Sequence, residues 1–293
     1  MVQPVSEAEI ISLSVKKYTM KKLILLIAVV FAISSFTKKE ITWVAIGDSI
    51  TYLNDHPDET GNRVTKGYMT GVVEQLPNID FTNQGHNGWT SGNIAGEIEK
   101  LGLTKADVYS VFLGTNDWWQ GRPIGTVSDY LNNTGNNTLY GSYRIIINKL
   151  HSLNPAAAII LITPMQRVDF VYIADMKNNA YGSYKDKNGQ SLAQFAEAII
   201  TIAKVESFKV VDLYNKSGIT LNNMVKYKRL KDPLTDAYKN YPYPAFIDIP
   251  FNPETDEYPY PPDAADMTFD GLHPSDKGYA VITKMLVKLM KKY

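Results

Sequence analysis

Residues 41–51 read "ITWVAIGDSIT". The first six are apolar or β-branched with little alternation, the pattern of a strand buried on both faces, as in a parallel sheet covered by helices. Gly47, Asp48 and Ser49 then stop that strand together. All three residue types favour turns and helix starts, so one reading of "GDS" is a tight turn. The other is that Ser49 is a nucleophile presented at the top of a sheet. The rest of the chain decides between them, since a serine needs a base, an orienting acid and oxyanion donors.

Working outward, similar apolar runs occur at "VYSVFLG" (108–114), "AAIILIT" (157–163) and "KVVDLY" (209–214), with a weaker one at "IDFTNQG" (79–85). Helical patterns lie between and after them, at 67–76, 91–102, 140–152, 191–206 and 275–292. The last places Ile282, Met285, Leu286 and Leu289 on one stripe. Five βα units predict a single α/β domain of three layers, α/β/α, around a mostly parallel five-stranded sheet. The pattern breaks at 216–268, a Tyr- and Pro-rich stretch that reads as a long ordered insertion.

The 293 residues are 44% hydrophobic and 20% charged, enough for a sizeable core. Thirty basic and thirty acidic residues cancel, which gives no electrostatic reason to expect nucleic acid as a partner. The absence of cysteine excludes disulfides, thiol nucleophiles and thiolate metal sites. At the amino terminus, lysines 16, 17, 21 and 22 precede the apolar run Leu23 to Ile33. Eleven helical residues span roughly 16 Å, about half a bilayer core, so the run fits a secretory signal better than a stable membrane span. Met20 suits the start of such a signal better than Met1. Residues 1–37 are therefore expected to be an extension and signal peptide, 38–293 the folded domain, and the mature protein secreted or periplasmic.

Ligands of open parallel sheets gather at the carboxyl ends of the strands. Here those ends read "GDS" with Ser49, "NQGHNG" (83–88), "GTND" (114–117) and "TPMQR" (163–167). Of four histidines, His151 sits near the end of a helical pattern and His56 in a polar loop. His86 lies near the strand ends with no carboxylate beside it. His273 stands in "FDGLHPSDKG", three residues after Asp270. An Asp-x-x-His turn can fold the carboxylate onto one ring nitrogen and aim the other at a serine. As a lone motif it is more often structural; beside Ser49 it is the best base the chain offers.

"GDSI", Gly88 within "NQGHNG", "GTND" and "DGLHP", in that order, resemble the SGNH (GDSL) hydrolase superfamily, and together they span residues 47–274. The resemblance implies a flavodoxin-like fold and ester hydrolysis through an acyl-enzyme. It implies Ser49 as nucleophile, His273 as general base and Asp270 as the group orienting it. The Ser49 and Gly88 amides and the Asn116 side chain would form the oxyanion hole. Asp48 is expected to support the turn. Ile50 replaces the leucine of the GDSL name, and "YLNDHPDETGN" after "GDSIT" departs from relatives that continue with an acidic residue and a glycine. No metal or cofactor is implied.

For the substrate, Trp118 and Trp119 follow Asn116, and Tyr241, Tyr243, Tyr258 and Tyr260 lie in the insertion. Their faces suit sugar rings, or they pack the insertion onto the domain. Arg167 either binds a carboxylate or pairs with an acid. The favoured reading is an exported esterase acting on O-acetyl groups of carbohydrates, with a small-molecule or glycan ester as its substrate. A lipid-directed acylhydrolase of the lysophospholipase or thioesterase type is the alternative, and a non-catalytic carbohydrate-binding module a weaker one.

Overall fold

The computed structural model describes Glu7, residues 16–20, residue 22 and residues 38–293. The apolar run Leu23 to Ile33, read above as part of a signal peptide, lies outside the described residues. The chain divides into two units, Met1–Lys39 and Glu40–Tyr293. Among the described residues no helix is long and apolar enough to cross a membrane.

The second unit runs β1 (Ile41–Gly47), α1 (Ser49–Tyr52), α2 (Tyr68–Gln75), β2 (Ile79–Gly85), α3 (Ser91–Glu97), β3 (Val108–Phe112), α4 (Thr115–Trp119), α5 (Val127–Leu131), α6 (Leu139–Leu153), β4 (Ala158–Ile162), β5 (Phe170–Val171), β6 (Asn179–Ala180), α7 (Leu192–Glu206), β7 (Lys209–Val211), α8 (Leu213–Lys216), β8 (Lys228–Lys231), β9 (Tyr238–Tyr241) and α9 (Asp276–Met290). Five strands form one sheet in the order β2-β1-β3-β4-β7, every pair parallel, with Trp43 opposite Val108, Val108 opposite Ala158 and Ile160 opposite Lys209. All five strands expected from the sequence are present.

Period-two alternation divides each central strand between two apolar layers. Trp43 and Ala45 of β1, Val108 and Phe112 of β3, and Ile160 and Ile162 of β4 face α2 and α9 through Tyr68, Val72, Ile282 and Leu286. Val44, Ile46, Tyr109, Val111, Ile159 and Leu161 face α3, α6 and α7 through Ile94, Ile146, Ile147, Phe195 and Ile199. This is the expected three-layer arrangement. The one polar side chain at the heart of β3, Ser110, is satisfied by the Trp43 indole, Nε1 donating to Oγ at 2.9 Å.

Helix limits follow their caps. Thr138 accepts from the Gly141 amide, Ser191 and Gln194 form a reciprocal capping box, and Ser275 accepts from the Gly278 amide. The helix expected over 91–102 ends at Glu97 instead. There the Lys100 and Leu101 amides both turn back to the Glu97 carbonyl, and Gly102 takes φ 65°. Residues 216–268, read above as an insertion, carry the antiparallel β8–β9 hairpin.

Candidate active site

Every strand end singled out in the sequence contributes to one place. β1 stops at Gly47, where a Cβ would stand 2.0 Å from Thr51 Oγ1, so the chain can bend there only as glycine. Asp48 is the N-cap of α1, its carboxylate accepting from the Ile50 amide at 3.0 Å. Burial pushes its carboxyl up to about 6, against the Ile50 amide hydrogen bond, which lowers it. Ser49 is the first residue of α1. Its amide is one of the helix's unpaired donors, and no described group accepts from it.

The Ser49 hydroxyl meets His273 Nε2 at 2.8 Å, and His273 Nδ1 meets Asp270 Oδ2 at 2.7 Å. The other Asp270 oxygen accepts from the His273 amide at 2.7 Å and the Leu272 amide at 3.0 Å. A carboxylate can only accept, so Nδ1 carries the proton and Nε2 is left to accept from the serine hydroxyl. The turn is held from several sides. Val168 and Val171 donate their amides to the Gly271 and Asp270 carbonyls. Gly271 has φ 90°, and a Cβ there would lie 1.9 Å from the Asp169 carbonyl oxygen. Phe269 stacks beside the imidazole and Phe170 meets it edge-on.

Ser49, His273 and Asp270 line a cavity of about 400 Å³, together with Gly88 and Asn116. Gly88 takes φ 73° in the turn after β2, a conformation L residues rarely adopt, and its amide has no described acceptor. Gln120 Nε2 ties that turn to α4 through the Gly88 carbonyl at 2.9 Å. Asn116 spends one amide hydrogen on the Trp89 carbonyl at 3.1 Å, which fixes its carboxamide and leaves the second hydrogen for the cavity. Three N–H groups from three strand ends, with a hydroxyl activated by an imidazole, can attack a carbonyl and receive the oxyanion. Behind them, buried Asp117 binds α4 to α3, accepting from the Ser91 amide at 2.8 Å and hydroxyl at 2.6 Å.

The aromatic expectations divide. Trp119 lines the cavity. Trp118 does not: it is fully buried, donating Nε1 to the Gln190 carbonyl at 3.1 Å, because the next position on a helix points about 100° away. Its expected substrate contact is therefore corrected to a packing role. Tyr241, Tyr243, Tyr258 and Tyr260 all stay off the cavity. Tyr258 donates to the Val171 carbonyl, Tyr260 to the Asp169 carbonyl and Tyr241 to Asp232, while the Tyr243 ring packs on Phe246. Tyr258 and Tyr260 thus fasten the insertion to the domain, while the Tyr241–Asp232 and Tyr243–Phe246 contacts lie within it. Arg167 lines the cavity and makes no ion pair with any described acid. The atypical segment after "GDSIT" supplies Leu53 and Glu59 to the wall; Glu59 accepts the Tyr52 hydroxyl at 2.8 Å, and Tyr52 stacks on His56. His86 stacks on Trp89, and His151 packs near Phe208. Sequence reasoning missed Phe170, Tyr172, Asn178 and Ala180, which line the cavity from the small β5–β6 ribbon. Two-residue strands leave no periodic signal to find them by.

The GDSL-like lipase/acylhydrolase family pattern matches residues 45–281. A solved structure of a possible lipase from Chitinophaga pinensis DSM 2588 is 66% identical, with a TM-score of 0.86, covering 86% of this chain and 98% of its own. A protein from Lactobacillus plantarum, 18% identical, shares the fold at a TM-score of 0.57 over 88% of this chain and 99% of its own. None of the curated proteins matches. The chain belongs to the GDSL-like lipase/acylhydrolase family and is a GDSL-type carboxylic ester hydrolase.

Proposed function

We propose that this carboxylic ester hydrolase removes short acyl groups, foremost O-acetyl groups, from carbohydrates outside the cytoplasm, through an acyl-enzyme on Ser49. The observation that carries the reading is the continuous chain from Asp270 through His273 to the Ser49 hydroxyl, opening on a cavity that also holds Asn116. Ser49 Oγ attacks the ester carbonyl while its proton passes to His273 Nε2. The oxyanion is received by the Ser49 and Gly88 amides and the Asn116 side chain. His273 then gives the proton to the departing sugar oxygen, leaving the acyl group on Ser49. A water, deprotonated by the same nitrogen, attacks the acyl carbon, and the proton returns to Ser49 as the acid leaves. Asp270 holds the ring in one tautomer throughout.

The walls support a sugar alcohol. The amides of Asn87, Gln120 and Asn178 offer both donors and acceptors, and Trp119 offers a ring face. Leu53, Phe170 and Leu272 add apolar surface. That surface, with the description of the Chitinophaga pinensis relative as a possible lipase, favours the lipid-directed acylhydrolase as the second reading. Export rests on lysines 16, 17, 21 and 22 ahead of the Leu23 to Ile33 run, and amino-terminal sequencing of the protein from cell fractions tests it.

Hydrolysis of matched acetyl and octanoyl p-nitrophenyl esters, with acetate release from acetylated sugars, tests the substrate reading. Faster turnover of octanoyl esters overturns it in favour of lipids. Ser49→Ala should lose activity on the order of 10⁶-fold and escape labelling by a fluorophosphonate. A variant keeping a tenth of the activity would remove Ser49 from the mechanism.

A further inference from the structure

Arg167 ends the "TPMQR" segment after β4 and is 1% exposed, yet it lines the cavity beside Ser49 and His273. Its Nε and Nη2 are buried and have no hydrogen-bond partner among the described residues. The acids nearest in its field are committed elsewhere. Asp270 receives the His273 ring and two amides. Asp169 receives Lys228 Nζ at 2.9 Å, the Gly182 amide at 2.9 Å and the Tyr184 hydroxyl. Glu59, the remaining acid on the cavity wall, accepts the Tyr52 hydroxyl.

What surrounds the guanidinium is rings: Trp118 at 5.5 Å, Trp119 at 5.7 Å and Phe170 at 5.9 Å from their centroids. Ring faces attract a cation but satisfy none of its N–H donors, and they replace only part of the hydration lost on burial. Burial lowers the group to about 10, so it still carries its charge at neutral pH. A charged, desolvated, unpartnered fork on the wall of an active-site cavity calls for an anion from outside. The two orphaned atoms, Nε and Nη2, form one edge of the guanidinium, which matches the two oxygens of a carboxylate; both atoms are closed to solvent, so a carboxylate reaches them as the Trp119 and Phe170 rings beside them shift. The neighbouring surface has the same sign. Lys187 Nζ stands 4.5 Å from the Trp119 centroid, and Lys185 lies over the Tyr181 and Tyr184 rings.

We propose that the ester hydrolysed here carries a carboxylate close to its scissile bond, that Arg167 reads that carboxylate, and that the substrate class is therefore the acylated acidic sugar. This deepens the carbohydrate-ester reading and rests on it. In it Arg167 sets specificity and takes no part in proton transfer.

The test compares kcat/KM for O-acetylated glucuronic acid with that for its methyl ester, which has the same shape and no charge. The parent enzyme should favour the free acid by roughly 10- to 100-fold, the range of a charge-assisted bidentate hydrogen bond. Arg167→Met should bring that ratio to about one. Arg167→Lys, which keeps the charge and loses the fork, should stand between them. A purely structural arginine would lower melting temperature and slow both esters alike without moving the ratio. A parent ratio near one, or an unchanged ratio in the Met variant, overturns the proposal. If neither sugar ester is cleaved while p-nitrophenyl acetate is, the carbohydrate reading has failed on its own. The anion site is then judged by inhibition of p-nitrophenyl acetate hydrolysis with glucuronate, glucose and inorganic phosphate. Inhibition by glucuronate alone, weakened in the Lys and Met variants, upholds it; equal inhibition by glucose, or stronger inhibition by phosphate, overturns it.

Discussion

Asp48→Asn isolates what one buried carboxyl costs the fold. Asp48 is 2% exposed, and burial raises its carboxyl from 3.8 to about 6 in the native state. In the unfolded chain it titrates at its ordinary value. Between those values the native state holds a proton that the unfolded state has lost, so stability falls as pH rises. The contribution is whole below about 3.8 and is lost as pH climbs through about 6. A displacement of about two units corresponds to about 3 kcal/mol. Asparagine keeps an oxygen to accept from the Ile50 amide at the same cap position and cannot ionise. The variant should therefore match the parent near pH 4 and exceed it by up to about 3 kcal/mol above pH 7, roughly 6–12 °C in melting temperature for a domain of this size. Paired thermal and denaturant unfolding from pH 4 to 8 measures it, because titrating groups not coupled to Asp48 cancel in the difference. A difference that stays flat, or that grows toward low pH, would refute the reasoning.

Asn116→Ala should lower kcat by roughly 10²–10³ with a smaller change in KM, since the oxygen it faces is fully negative only in the transition state; a near-normal kcat with a lowered melting temperature would make it a brace for Trp89 alone. Asp270→Asn should lower kcat by on the order of 10⁴, through the wrong imidazole tautomer, with the fold retained; steady-state kinetics beside Asp48→Asn, expected to act mainly on stability, separates the two acids. Gly271→Ala should cost more than about 3 kcal/mol, because the new Cβ meets the Asp169 carbonyl and the residue must hold a left-handed φ. A variant that melts like the parent would show that the turn yields.

The central sheet was legible because burial on both faces leaves long apolar runs. "ITWVAI" and "AAIILI" have no other economical reading, and Ser191 and Ser275 punctuate the helices that cover them. The site was legible for a related reason: each strand end exposes polar residues and glycines just where a run of hydrophobics stops. What stayed hidden depends on helix phase and on contacts between distant segments. Trp118 and Trp119 are equivalent on paper, and only the orientation of a five-residue helix sends one into the core and the other to the cavity. Two tyrosines of the insertion have partners about ninety residues away in the chain, Val171 for Tyr258 and Asp169 for Tyr260. The Arg167 alternatives were likewise undecidable without knowing that Asp169 and Asp270 are already taken.

Three places where this fold gives up stability lie together. Asp48 is a carboxyl at a buried cap, Gly271 holds a backbone that other residues would strain, and Arg167 is a cation without a partner; each stands beside His273 or on the wall of its cavity. Within the sheet and behind the site, buried polar groups are paired, as Ser110 is with Trp43 and Ser91 with Asp117. A domain able to satisfy those groups had no packing reason to leave the others exposed to such cost. Costs gathered around one imidazole mark where sequence has been held for chemistry rather than for stability. The unsatisfied fork of Arg167 is the one cost on that wall that a substrate can remove.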